Sequence, residues 1–500
     1  MKGIVLNFIQ GKAKIDTNGE IKDYNIKQSK KNEIRAEDIQ IGMEVEFEFN
    51  NTISKFEIVK VLKKNAITTK EKIMIIMSTA NQTVNAIPID ILGIKKVVIL
   101  STTFASQKGY TRNYVNYLKK KKIAYYIIDL SREEETDVSI LAKKIENIYS
   151  DLNNESCYLN ITGGQKLYVL ACSEVAKKTN ENISTIYLDI HETTMHVDNS
   201  KRKYVANLTL EEILLLYGYT YIKEDAKEWN VNDLKKDVLT KLLQFSNKYI
   251  NDDSVSKKFF SLDNSISSES SKLKIISNNF IHLLKNIEDL NINEDVIDPI
   301  KKANKIFLDN YGEKINDKAI HVDREKLTLD LLNLVGLNKH KLVEVFGTEK
   351  NLDTGNLFEK MLLVKVLEAV NTNNKLREEI IGIFTSVKTI QNETINTPTE
   401  SEYDMVLISK RGTLIILEAK TGKYEGDTAK GKEYGAITKS GPYGKSSFVG
   451  PLINRFLNDD GTKKVSYISS VIENHENVCK NTGIKYIRFD NISQELERLI

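Results

Sequence analysis

The apolar and polar positions of this chain change their spacing three times. Residues 1–65 read as short strands: Met1–Phe8 opens the stretch, Asn18-Gly19 marks a hairpin, and Gly42–Phe49 alternates with a period of two. From 66 to 228, short apolar runs at Lys95–Ser101, Ala124–Asp129, Cys157–Ile161 and Thr185–Asp189 alternate with helical periodicity at Tyr110–Lys121, Asp137–Tyr149 and Lys166–Lys177. Strands alternating with helices predict a mainly parallel, doubly wound sheet, which binds ligands at the carboxyl ends of its strands. Residues 229–350 show helical patterns at Leu234–Tyr249, Ile275–Asn286, Pro299–Asp309 and Lys326–Val335, broken by the serine-rich Ser261–Ser271. They predict a helical connector. In 351–500 a helix over Gly355–Val370, with Asp353 or Thr354 as N-cap, precedes two apolar strands flanking Lys410-Arg411-Gly412. The expected architecture is α/β and multidomain: a small N-terminal β-barrel (1–65), a doubly wound domain (66–228), a helical connector (229–350) and a C-terminal domain built on the hairpin (351–500).

The hairpin sets its own register. A three-residue loop with Gly412 in the left-handed position pairs Ser409 with Thr413, which places Asp404 opposite Glu418. Side chains alternate along a strand, so Glu418, Lys420 and Asp404 share one face. A lone Glu-x-Lys on a strand is ordinarily a solvated edge. Here Ile415-Ile416-Leu417 is too apolar for that reading, and charges emerging from a buried strand need a reason. Two carboxylates can hold Mg²⁺ or Mn²⁺ through hard oxygen ligands, and a neighbouring lysine can position a water or help deprotonate it. Glu359 falls on the helix face of Leu363, Val366 and Val370, where a carboxylate is expected to be paired or to be a ligand.

Two segments stand at strand ends in the doubly wound region. Thr102, Thr103 and Phe104 follow one strand, and Thr162-Gly163-Gly164-Gln165-Lys166 joins another to a helix. Glycines there let backbone approach a phosphate, the helix N-terminus favours negative charge, and Lys166 adds a cation. Plain turn chemistry is the simpler alternative.

Composition narrows the class. Lys and Arg number 72 against 69 Asp and Glu, a net charge of +3, so any nucleic-acid surface must be local. The stretch from Lys423 to Lys445 interleaves lysines with Tyr424, Tyr434 and Tyr443, which suits a phosphate backbone and unpaired bases, or else is an ordinary solvated loop. Cys157, Cys172 and Cys479 have no paired spacing and the histidines no ligand spacing, which speaks against a disulfide or zinc framework and for a reducing cytoplasm. No apolar run reaches the ~18 residues of a membrane span and no signal-peptide pattern opens the chain, so a soluble cytoplasmic protein without a membrane partner is expected.

Four resemblances follow from these motifs. The 1–65 strands, with Gly42-x-x-Val45-x-Phe47 late in the unit, resemble a cold-shock or OB-type barrel. Gly11–Ile15 stands where that family sets stacking aromatics, so the likeness implies fold more than binding. Asn160-x-Thr162-Gly163-Gly164-x-Lys166, with the trailing Asn207–Gly218, resembles the CRISPR-associated Rossmann-fold (CARF) domain, with Gln165 in place of the usual threonine. That resemblance implies a cyclic oligoadenylate ligand at Thr102, Thr103, Phe104 and Thr162–Lys166, and a homodimer in which one ring meets two copies of the loop. Tyr403-Asp404 with Glu418-x-Lys420 resembles the PD-(D/E)XK nucleases, with Tyr in place of Pro. It implies Asp404, Glu418 and Glu359 as metal ligands, and Lys420 beside them as a catalytic residue. Together the chain resembles the CARF-containing nucleases of type III CRISPR defence: cyclic oligoadenylate, with the tetra-adenylate as the favoured ring, would activate cleavage of DNA or RNA. Two other classes stay open: a restriction or repair nuclease with a different ligand, and a ligand-gated nucleic-acid-binding regulator without cleavage.

Overall fold

A computed structural model describes residues 2–9, 12–17, 20–27, 44–50, 55–63, 72–152, 156–178, 183–224, 226–256, 259, 328–329, 331–347, 354–391, 400–421, 444–450, 454, 457–460 and 466–500. They divide into two compact units. One comprises Met1–Ile222 with Thr389–Glu400 and Lys410–Gly412, the other Lys223–Lys388, Ser401–Ser409 and Thr413–Ile500.

The first unit begins with β1 (Lys2–Ile9), β2 (Lys12–Thr17), β3 (Glu20–Lys27), β4 (Glu44–Asn50) and β5 (Lys55–Lys63). They close into a barrel in the order β1-β2-β3-β5-β4, with β3 parallel to β5 and the other pairs antiparallel. In β4, Val45 and Phe47 are buried while Glu48 is exposed, the alternation that a two-faced strand requires. The Asn18-Gly19 turn lies outside the described residues.

A second sheet follows: β6 (Ile73–Met77), α1 (Thr83–Leu92), β7 (Lys96–Ser101), α2 (Thr103–Gln107), α3 (Tyr110–Lys120), β8 (Ala124–Asp129), α4 (Arg132–Thr136), α5 (Val138–Asp151), β9 (Cys157–Asn160), α6 (Lys166–Lys178), β10 (Ile183–Asp189), β11 (Thr194–Val197), β12 (Ser200–Lys203) and α7 (Leu210–Tyr217). The strand order is β12-β11-β10-β9-β6-β7-β8, parallel from β10 to β8 and antiparallel at β11 and β12. The first strand of this sheet is β6 rather than the run at Lys95–Ser101. Every residue of β6 is buried, as is α1 from Thr83 through Ile89, so α1 has no amphipathic stripe to mark it in the sequence. The winding direction reverses between β6 and β9, which puts the ligand crevice of such a sheet between the loops that follow those two strands. All three cysteines are free and buried.

The first unit ends with β13 (Tyr219–Ile222). The second unit's sheet runs β15 (Ile380–Gln391), β16 (Glu400–Ser409), β17 (Leu414–Ala419), β18 (Gly444–Gly450) and β19 (Lys485–Arg488), with β14 (Lys227–Glu228) also on β15. Its described helices are α8 (Asp237–Asn251), α9 (Lys339–Phe346), α10 (Thr354–Thr372), α11 (Asn374–Glu379), α12 (Ser466–Thr482) and α13 (Ile492–Leu499). The boundary expected between a connector and the C-terminal domain is not found among the described residues. Leu239, Leu242, Phe245 and Tyr249 of α8 share one core with Leu357, Phe358, Met361 and Leu367 of α10, and with Phe489. The aromatic members lock together: Tyr249 meets Phe489 edge-on at 5.5 Å and Phe358 lies 4.9 Å from Phe489. Residues 261–271, 275–286 and 299–309 lie outside the described residues. Among the described residues no helix is long and apolar enough to cross a membrane.

Candidate functional site

The β16–β17 hairpin pairs Met405 with Leu417 and continues to Ile408 with Leu414, the register that the loop length implies. Gly412, at φ +79°, takes the left-handed position, and Ser409 N donates to Thr413 O at 3.0 Å to close the loop. One step beyond Met405–Leu417 come Asp404 and Glu418. Met405, Leu407, Ile415 and Leu417 point into the core beneath α10, so alternation turns Asp404 and Glu418 to the other face.

Glu418 is fully buried, and Lys420 Nζ stands 2.6 Å from its Oε1 and 3.9 Å from Asp404 Oδ2. Asp404 Oδ2 also accepts from Ala419 N at 2.7 Å, which pins the carboxylate across the strand pair. Lys420 N donates to Val449 O at 3.0 Å, so the lysine is anchored by the parallel neighbour β18. Burial works against the Lys420 charge, yet Glu418, Asp404 and Glu359 outweigh it and hold the amine above its ordinary value. A group so held is a cation and not a proton acceptor at neutral pH.

Glu359 is half-buried near the start of α10. Burial pushes its carboxyl up to about 7; Lys360 and Lys420 pull it down, and Glu418 and Glu402 push it up. It therefore lies in the field of the same cluster. Among the described residues, however, no three His, Cys, Asp or Glu side chains converge as a metal-holding group. Asp404 and Glu418 come together at Lys420; Glu359 stands near them without joining a ligand set. Glu402 went unnoticed in the sequence, although it sits two residues before Asp404 and alternation alone puts it on that face. The segment 422–443, read as basic and aromatic, lies outside the described residues.

The ligand candidates of the first unit divide. Thr102 is buried and caps α2, its Oγ1 accepting from Ala105 N at 3.1 Å, so its hydroxyl serves the helix. Thr103 N donates to Glu135 Oε1 at 2.6 Å on the surface. Phe104 is 58 % exposed and meets Tyr110 edge-on at 6.1 Å. At the other loop, a Cβ on Gly163 would lie 2.9 Å from Val84 Cγ2 and 3.0 Å from Thr79 Cγ2. Gly164 has φ +97° with Met77 Cβ 3.0 Å from its missing Cβ. Both glycines let the loop lie flat on β6 and α1. Thr162 Oγ1 accepts from Leu188 N at 2.9 Å, while Gly164, Gln165 and Lys166 are exposed. Asn160, in the motif but without a role by sequence, is fully buried, and its Oδ1 accepts from Thr162 N at 3.1 Å.

A family model, the Card1 CARF domain, matches residues 73–213. Among solved structures, protein VC1899 from Vibrio cholerae is similar at 10% identity with a TM-score of 0.51, over 85% of this chain and 95% of that one. Can2 from Sulfobacillus thermosulfidooxidans, solved in complex with cyclic tetra-adenylate, is similar at 12% identity with a TM-score of 0.49, over 86% of this chain and 99% of that one. No curated protein matches. The likeness to VC1899 is one of fold. The span matched by the family model runs from β6 into α7 and contains both loops described above. The likeness to a CARF domain is thus confined to residues 73–213 of this chain.

Proposed function

We propose that this chain is a metal-dependent nuclease switched on by a cyclic oligoadenylate, acting on DNA or RNA in type III CRISPR antiviral defence in the cytoplasm. One observation carries the reading: a chain with a CARF domain also holds Asp404 and the fully buried Glu418 around one ammonium, Lys420, at the end of an apolar hairpin. Burying a carboxylate is costly unless a function or a partner compensates it.

Asp404 and Glu418 present the hard oxygens that Mg²⁺ or Mn²⁺ takes, and they would hold the ion in a PD-(D/E)XK-type site. When bound, the ion supplies Lewis-acid polarisation of the phosphate and an activated water. Lys420, held protonated, orients that water and offsets charge on the phosphoryl oxygens. Glu359 and Glu402 tune the cluster from its rim. In the CARF domain, backbone at Gly163 and Gly164 approaches the phosphates of the cyclic oligoadenylate, Lys166 offers the cation, and the exposed Phe104 offers a face for adenine stacking. We assign the N-terminal barrel to the cold-shock or OB type on its strand order, as an accessory module.

A homodimer brings two loops to one ring. Titration calorimetry with cyclic tetra-adenylate is expected to give one ring per two chains; heat that saturates at one ring per chain contradicts the shared site, and no heat at all contradicts the ligand assignment.

A further inference from the structure

A line of buried polar side chains runs beneath the carboxyl ends of β7, β6 and β9. Ser101, the last residue of β7, and Thr111 of α3 are joined through their hydroxyls at 2.7 Å, and Thr111 Oγ1 donates to Ser78 Oγ at 3.0 Å. Because the Thr111 proton is committed to Ser78, Ser101 is the donor in the first bond. From the other side, Asn160 Nδ2 donates to Asn85 Oδ1 at 3.0 Å and Asn85 Nδ2 to Gln82 Oε1 at 2.9 Å. Gln82 Nε2 then donates to Ser78 Oγ at 2.9 Å. Ser78 is thus the acceptor on which both halves converge.

Each end of the line opens on a ligand segment. Asn160 Oδ1 holds Thr162 N, the entrance to the Thr162–Lys166 loop, and Ser101 leads directly into Thr102–Phe104. The members are all 0 to 6 % exposed. A buried amide or hydroxyl that loses its partner costs about 1–3 kcal/mol, so a line in which every member is bonded to the next has one favoured arrangement. Its anchors are backbone: Asn160 Nδ2 also donates to Val84 O at 2.9 Å, Asn85 Nδ2 to Met77 O at 3.2 Å and Gln82 Nε2 to Tyr110 O at 3.2 Å.

We infer that Ser78, Gln82, Asn85, Thr111 and Asn160 are positioning residues that lock the Thr162–Lys166 loop to the Thr102–Phe104 segment. They act on the ligand through those loops and do not touch it. This rests on the ligand reading above, so the test has one arm with ligand and one without. Hydrogen exchange of the full chain, free of ligand, is measured for wild type, Ser78→Ala and Thr111→Val, with Ser101→Ala as a milder cut at the far end. The expected result is exchange at 161–166 faster by about tenfold in Ser78→Ala and Thr111→Val and by less in Ser101→Ala, with exchange in the strands of the same sheet changed far less. In the ligand arm, the Kd for cyclic tetra-adenylate is expected to rise by about fivefold or more, from loss of preorganisation. Exchange at 161–166 unchanged while that at 78–82 and 110–113 rises would overturn the inference, and so would faster exchange with an unchanged Kd. A wild-type chain that does not bind the ring would sink the ligand reading instead, leaving the exchange arm to decide whether the line locks the loops.

Discussion

Glu418→Gln is expected to lower the nuclease rate by about a thousandfold or more while leaving cyclic oligoadenylate affinity unchanged. The substitution is nearly isosteric and keeps an oxygen facing Lys420 Nζ, 2.6 Å away in the native pair. What it removes is one negative charge from a hard-oxygen donor set. Losing a metal-holding carboxylate or an equivalent preorganised charge removes about 4 kcal/mol of transition-state stabilisation. Initial rates on a labelled strand in Mn²⁺, paired with a binding titration, give the answer. Cleavage within tenfold of wild type would remove Glu418 from the chemistry.

The second large effect concerns stability. Lys420→Met keeps the length and packing of the lysine stem but strips the cation from a carboxylate that is fully buried. Breaking one side of a buried pair typically costs about 3–5 kcal/mol, and the lysine's own 27 % side-chain exposure favours the lower end of that range. A denaturant titration should show the loss. The double variant Glu418→Gln with Lys420→Met should recover part of it, because the fully buried charge of Glu418 is then gone while Asp404 still lacks its lysine. If Lys420→Met alone is as stable as wild type, the Glu418–Lys420 ion pair does not support the fold.

The hairpin was legible in the sequence because its geometry is local. Lys410-Arg411-Gly412 fixes the loop, the loop fixes the pairing, and alternation delivers Asp404, Glu418 and Lys420 to one face. The strands and helices from β7 to β10 were legible for a similar reason, since each carries its own periodicity and punctuation. β6 and α1 were not: a short, wholly buried strand followed by a helix buried through most of its length offers no contrast between faces. The shared core of α8 and α10 was hidden because its contacts, such as Tyr249 with Phe489, join residues far apart in sequence. Distance also hid the role of Asn160, whose partner Asn85 is 75 positions away. A threonine after a strand suits a ligand contact and a helix cap equally well; at Thr102 the 3.1 Å bond from Ala105 N shows the cap, which the sequence did not single out. Glu359 was placed on the correct helix by periodicity, but whether it ligates or only biases the cluster depends on distances that no sequence spacing encodes.

The most direct measurement is cleavage of labelled single- and double-stranded DNA and RNA by the purified full chain, with Mn²⁺ or EDTA and with or without cyclic tetra-adenylate. Gated metal-dependent hydrolysis predicts products only when both Mn²⁺ and the cyclic nucleotide are present, and none with Glu418→Gln under the same conditions. Equal cleavage without the cyclic nucleotide, or no cleavage of any strand with both present, would contradict it.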